Sequence, residues 1–270
     1  MANLGDVATA IENWYPKELA EEWDLIGVAV GDSDQVINSV LLVVDLTLET
    51  LAEAKALNCN LVVAHHPIYL PNSPEEILPI RIQKIMTDCK ESQISVYVAH
   101  TNADNATEGV SDALASALGL EINSSITNRE LKTGMGRVGR LVTPTSLSKF
   151  AELVGKALPI NNFGTLVAGD LQKEVSVVAC CAGSGASLLT ELTNHQVDVF
   201  VTADLKHHAA IDHLQDSEIA LVNVSHWASE WLWLNVLQRK LNREFPAMKV
   251  HVSNLVTDAW DLHISTGATQ

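Results

Sequence analysis

Leu61-Val62-Val63-Ala64-His65-His66-Pro67 is an unbroken apolar run that ends in two imidazoles and a proline. Four apolar residues bounded in this way read as a strand covered on both faces, the kind found in parallel sheets. Adjacent imidazoles at the C-terminal end of such a strand suit packing poorly and suit a divalent metal well. Three other apolar runs end alike. Residues 94–99 lead into His100-x-x-x-Asp104, residues 197–201 into Asp204-Leu-Lys-His-His208, and residues 219–224 into His226-x-x-x-Glu230. The chain therefore reads first as a metalloprotein with its ligands at strand ends.

Helical patterns alternate with these strands. Residues 3–22 carry Leu4, Val7, Ile11 and Trp14 at helical spacing, with Pro16 as an interruption. Further helices are expected over 47–57 behind Thr47 as N-cap, from Ser73-Pro74 to about Lys90, and over 109–118, closed by Gly119. In the second half, helices are expected over 147–158, 187–194, 209–214 and 227–242, and strands over 175–180, 197–201 and 219–224. This is an α/β pattern with largely parallel pairing. The halves repeat each other chemically, one strand ending in a histidine pair or an Asp-Leu-Lys-His-His run and a later one in a His-x-x-x-carboxylate. The expectation is two similar α/β lobes, an internal pseudo-repeat, approximately 1–120 and 137–270, whose strand-end faces meet around one site. The polar, turn-rich residues 121–137 are the expected junction.

A net charge of −16 argues against a nucleic-acid-binding surface, which needs clustered Lys and Arg. No apolar stretch approaches membrane-spanning length. Met1 to Asp6 lacks the basic and apolar regions of a secretory signal. Cys59, Cys89, Cys180 and Cys181 form no CxxC and read as buried free thiols, so a cytoplasmic setting is expected.

His226 and Glu230 are four apart at a helix start, which puts both on one face within reach of one ion. Imidazole with carboxylate suits zinc, iron, manganese or nickel, and the lack of a cysteine cluster argues against structural zinc. His100 and Asp104 share the spacing, but Thr101-Asn102 suggests a loop or turn there. His65, His66, Asp104, His226 and Glu230 are too many for one tetrahedral catalytic zinc. They suit two divalent ions roughly 3.5–4 Å apart. Hydrolysis of an amidine, amide or phosphate ester is the natural reaction. Lys206, His207 and His208 offer cationic or proton-shuttling groups, though helical neighbours point about 100° apart, so at most one of the histidine pair faces a site. Gly183-Ser184-Gly185 fits an anion-binding loop or a tight turn equally, and Asp45 fits a helix cap or a carboxylate behind a ligand. His195, His213, His251 and His263 read as structural or surface histidines. Trp227, Trp231 and Trp233 read as core or subunit interface.

Motifs along nearly the whole chain resemble the NGG-interacting-factor-three-like family, the dinuclear metal centre proteins or GTP cyclohydrolase I type 2 homologues. They are Trp23-Asp24 with Gly27, Ala64-His65-His66-Pro67, His100-Thr101-Asn102-x-Asp104, Gly134-x-Gly136-Arg137-x-Gly139, Gly183-Ser184-Gly185, Thr202-x-Asp204-Leu205-Lys206-His207-His208, and His226-x-x-Ser229-Glu230. The chain departs from the family pattern at Leu25, Ala203 and Ser225. The resemblance implies one family domain over 1–270, with no inserted extra domain, and a toroidal homohexamer. It implies that His65, His66, Asp104, His226 and Glu230 hold two metal ions, with His100 beside them as a group behind the ligands or facing substrate. Together, chemistry and resemblance lead to a dinuclear-metal hydrolase with GTP cyclohydrolase-like opening of a purine ring. His100 and Lys206 would assist proton transfer and anion binding on a small-molecule substrate. The rivals are a non-enzymatic metal-binding regulatory, storage or chaperone protein and a nucleotide phosphoesterase using the same ions.

Overall fold

The computed structural model describes residues 2–70 and 77–264. Its elements run α1 (Leu4–Trp14), β1 (Gly27–Val30), β2 (Ser39–Val43), α2 (Leu48–Ala56), β3 (Leu61–Ala64), α3 (Ile80–Glu91), β4 (Ser95–Val98) and α4 (Thr101–Asn105). There follow α5 (Val110–Ala117), β5 (Leu120–Ser124), β6 (Arg137–Ser146), α6 (Leu147–Ala157), β7 (Thr165–Ala168) and β8 (Glu174–Ser184). The last are β9 (Val199–Ala203), α7 (His207–Asp216), β10 (Ala220–Val224), α8 (His226–Glu244) and β11 (Lys249–Val252). Two compact units emerge: Met1–Val110 with Trp233–Thr257, and Ser111–Leu232 with Asp258–Gln270. No helix among the described residues is long and apolar enough to cross a membrane.

The first unit holds a sheet in the order β1-β4-β3-β2-β11. β11, β2, β3 and β4 are parallel, and β1 lies antiparallel beside β4 at the edge. Leu41, Val43, Val62, Ala64 and Val96 share one buried cluster with Leu51, Ala54, Ile85 and Cys89 of α2 and α3. Residues of the opposite parity, Val40, Leu42, Leu61 and Val63, are fully buried too. Both faces are covered, which is why these strands are continuously apolar.

The second unit holds the order β5-β6-β8-β9-β10-β7. Here β8, β9 and β10 are parallel, with β7 antiparallel beside β10 and β6 antiparallel beside β8. The expected repeat is one of connectivity. α1-β1-β2-α2-β3-α3-β4 in the first unit matches α6-β7-β8-β9-α7-β10 in the second, including the antiparallel edge strand that precedes the three parallel ones, except that 3-10 turns between β8 and β9 stand where the first unit has α2.

Local chemistry sets the boundaries. Asn3 and Asp6 form a reciprocal capping box on α1, and Thr47 with Thr50 does the same for α2. α1 stops before Pro16, so the helix is shorter than the 3–22 expected. Gly119, at φ +70°, closes α5. The expected helix start at Ser73-Pro74-Glu75-Glu76 lies outside the described residues. α3 itself opens only at Ile80, behind Pro79 as N-cap, because a residue that precedes proline disfavours helical backbone. Residues 187–194 form two short 3-10 turns, Ala186–Leu188 and Glu191–Asn194, rather than the expected helix. Thr190 and Thr193 supply poor helix formers there, and Thr193 Oγ1 donates to the Thr190 carbonyl.

Arg137 locks the second unit. Its side chain is fully buried, and Nε and Nη2 donate to the two Asp112 carboxylate oxygens at 3.0 and 2.8 Å. Nη1 donates to the Gly134 and Gly136 carbonyls, both at 2.7 Å. Gly136 sits at φ +64°, where a Cβ would also press into Ile126. Asp112→Ala would leave a buried guanidinium without its carboxylate, so a loss of about 3–5 kcal/mol in urea unfolding is expected.

Candidate metal centre

In the first unit the strand ends gather imidazoles. His65 and His66 follow β3 directly, and His100 follows β4 by two residues. Ring centroids lie 5.0 Å apart for His65 and His66, 5.1 Å for His65 and His100, and 5.4 Å for His66 and His100. One ligand atom from each of the three falls within 4.8 Å of the others. Asp104 completes the group, its Oδ1 3.7 Å from His65 Nε2. That is longer than a hydrogen bond. It suits two donors that share one ion at about 2.0–2.2 Å.

Each ring is held through Nδ1. His65 Nδ1 lies 2.9 Å from the Ala99 carbonyl, His66 Nδ1 2.8 Å from Asp45 Oδ1, and His100 Nδ1 2.9 Å from Asp24 Oδ1. A carbonyl or carboxylate only accepts, so Nδ1 carries the proton and a neutral ring presents its lone pair at Nε2. The carboxylates are themselves anchored. Asp45 accepts from the Thr257 hydroxyl and is not the cap of α2, a place that Thr47 takes. Asp24 accepts from the Leu25 and Thr101 backbone N–H groups at 2.8 and 2.9 Å and from the Thr101 hydroxyl. Burial alone would raise the Asp24 pKa, but the hydrogen bonds from His100 and Thr101 overrule it and hold the carboxyl at about 2.

Asp104 and His100 are joined by a helix, correcting the loop expected at Thr101-Asn102. All five residues of α4 are buried. Asn102 and Asn105 look loop-like in sequence, yet their amides donate to the Tyr15 and Leu19 carbonyls at 2.7 and 2.8 Å. Asn102 Oδ1 also accepts from His100 N–H at 3.0 Å.

In the second unit β10 delivers His226 to the first position of α8. Its Nδ1 lies 2.6 Å from Asp204 Oδ2 and its Nε2 2.9 Å from Glu230 Oε1. The Glu230 carboxylate raises the His226 pKa from 6.5 to about 11; burial opposes this and Asp204 adds to it. Asp204 has φ +56°, a backbone state that aspartate tolerates better than most residues. Gly183, at φ +66°, brings bare backbone against the pair. A Cβ there would collide with the Glu230 carboxylate and approach His226 Nε2 to 3.2 Å. Its N–H points to Ser229 Oγ at 2.9 Å. Rather than a turn or loop, Gly183 and Ser184 are the end of β8, and the glycine at 183 is needed for the close approach of Glu230.

The structure thus gathers His65, His66, His100 and Asp104 in one unit, and His226 with Glu230 in the other. Lys206 is exposed at the N-cap of α7 and makes no ion pair among the described residues. Asp24 was legible only as part of a motif, and Asp204 only as one member of a cluster. Ser225, where the family pattern has glycine, caps α8 by accepting from Ala228 N–H at 3.1 Å and donates to Asp258. The four cysteines are buried thiols outside any disulfide, as expected. Two of the histidines read as structural bond backbone carbonyls, His195 to Ile126 and His213 to Ile219.

The family model described as Duf34/NIF3 (NGG1p interacting factor 3) matches residues 2–259. A Streptomyces coelicolor protein named GTP cyclohydrolase 1 type 2 homolog is 37% identical over 277 residues, covering 100% of this chain and 97% of that one. A Mycobacterium bovis protein of the same name is 28% identical over 383 residues, covering 99% of each. The solved structure of a Bacillus cereus protein related to NIF3 matches with a TM-score of 0.86 at 24% identity, over 96% of this chain and 99% of that one. This last is a likeness of fold.

The depressed Asp24 carboxyl has a measurable consequence. A group held near 2 against an ordinary 3.8 stabilises the fold above about pH 4 by ~2 kcal/mol, and the contribution fades as pH falls through 2. Asp24→Asn is expected to lower the urea midpoint at pH 7, and the gap to the parent should narrow as pH is taken from 5 towards 2.

Proposed function

The chain belongs to the Duf34/NIF3 family, and on that footing we propose that it is a dinuclear divalent-metal-dependent hydrolase. His65, His66, Asp104, His226 and Glu230 hold the ions, which are zinc, iron, manganese or nickel. The observation that carries this reading is the shared restraint on four imidazoles. His65, His66 and His226 each have Nδ1 fixed by an oxygen acceptor, the arrangement that orients and strengthens Nε2 as a metal donor, and His100 is held by Asp24 in the same way. The donor set of imidazole and carboxylate, without thiolate, fits such ions. The ligands come from separate chain segments, and α8 contributes His226 and Glu230 to one unit and Trp233 to the other.

Bound ions supply a water ionised near neutral pH and polarise the group it attacks. The candidate reaction is GTP cyclohydrolase-type opening of a purine ring, a choice supported by the relatives' names. His100, oriented by Asp24, passes a proton at Nε2 to or from the opening ring. The exposed Lys206 ammonium meets the anionic end of the substrate. Assembly as a homohexamer in the cytoplasm belongs to the same proposal.

Purified protein is expected to carry close to two ions per subunit by elemental analysis. It should turn over GTP in preference to a panel of phosphoesters, and Glu230→Ala should abolish turnover. Asp45→Asn and Asp204→Asn should each weaken metal affinity about 10- to 100-fold. Full metal loading with no turnover of GTP or phosphoesters, or turnover unchanged in Glu230→Ala, would move the assignment to a regulatory metal-binding protein.

Metal loading should also release protons. Metal-free His226 keeps its proton far above neutrality because of Glu230, and a ligand must surrender it. Affinity is therefore expected to tighten as pH rises from 6.5 to 9. Proton release on zinc addition in weak buffer should shrink in Glu230→Gln, whose His226 lacks the neighbouring negative charge.

A further inference from the structure

Trp23 is an exposed indole beside the imidazole cluster. It is 59% exposed, although an indole is ordinarily buried or half-buried. Nor is it loosely attached. Residues 21–25 are fastened to the start of α4: Glu21 N–H donates to Thr101 Oγ1 at 3.0 Å, and Asp24 N–H to the Glu21 carbonyl at 3.0 Å. The Asp24 carboxylate grips His100 and Thr101. This clamp holds the Trp23 ring 5.9 Å from the His100 ring, at 74° to it. His100 in turn lies 5.1 and 5.4 Å from His65 and His66. An exposed indole is thus fixed one ring beyond the imidazole cluster.

The charges around it select the kind of ligand. Glu21 and Glu22 flank Trp23 and are exposed, so a phosphate is repelled here. Leu25, 53% exposed, extends the apolar surface. A flat, uncharged heteroaromatic ring fits this place, stacked on the indole with its reactive edge towards the imidazoles. We infer that Trp23 is the stacking platform for the base of a purine nucleoside or nucleotide, the phosphates being bound elsewhere. The inference rests on the metal-site reading above and adds the subsite that would select the base.

Calorimetric titration of guanosine, GTP and ribose 5-phosphate into the metal-loaded full-length chain tests it. Trp23→Leu is expected to weaken guanosine and GTP by roughly ten- to a hundredfold, the usual effect of removing a base-stacking aromatic. Trp23→Phe should stay within a few-fold of the parent, and ribose 5-phosphate should not change. Trp260→Leu, at an indole 60% exposed in the other unit, is the control and should bind like the parent. Metal per subunit and mass by light scattering are recorded for every variant. Equal guanosine affinity in Trp23→Leu overturns the inference, as does a smaller assembly with nucleoside binding unchanged, which would make Trp23 a subunit contact. Two bound ions without any nucleoside affinity overturn the platform and leave the metal reading standing. Trp23-dependent guanosine binding in protein that takes up no metal does the reverse.

Discussion

The hydrogen bond at Nδ1 is the constraint on which the candidate centre depends. An imidazole has two nitrogens and two neutral tautomers, and the partner of one nitrogen decides what the other can do. In His65 the partner is the Ala99 carbonyl, and in His66, His100 and His226 it is Asp45, Asp24 and Asp204. Loss of any of these acceptors frees a ring to turn about its χ angles. The fold serves to deliver each acceptor to its ring. Asp45 lies just past β2, Ala99 just past β4 and Asp204 just past β9, so neighbouring parallel strands supply imidazole and acceptor side by side.

Parallel pairing makes this economical. Strands that run the same way bring their C-terminal ends to one edge of the sheet, where loops and helix starts carry polar groups without disturbing the apolar interior. β2, β3 and β4 do so in the first unit, and β8, β9 and β10 in the second. The chemistry is not duplicated along with the topology. The first unit carries mostly imidazoles, each with its own support. The second carries one imidazole against one carboxylate, and the two are so close that His226 holds its proton tightly. Backbone without a side chain at Gly183 is what admits Glu230 to that position.

Much of this was legible in the chain, for identifiable reasons. Strands β2, β3, β4, β9 and β10 are buried throughout or nearly so and therefore appear as apolar runs. The histidine and carboxylate motifs are visible because polar residues follow those runs abruptly. The edge strands were not legible. β1 and β7 are four residues long, and their apolar stretches, Val28-Ala29-Val30 and Leu166-Val167-Ala168, are too short to mark a strand. β5 lay in the segment read as polar junction, since only its first and last residues are buried. The histidine–aspartate pairings were hidden for a different reason. Asp24 and His100 are 76 residues apart, and Asp204 and His226 22 apart; no local pattern marks them as partners. Thr101-Asn102 misled because asparagines common in turns here bond backbone carbonyls of a neighbouring segment.

The composition of the first unit has a consequence for how the chain is made. Its sheet is completed by β11 and its core by Trp233, whose indole lies 5.5 Å from the His65 ring and donates to the Tyr15 hydroxyl at 3.1 Å. Both come after the whole sheet of the second unit in sequence. On a ribosome adding about 5–20 residues per second, the earliest segment to emerge is thus the later one to finish. For roughly ten to forty seconds, β2 waits as an apolar strand with an open edge until β11 arrives to pair with it.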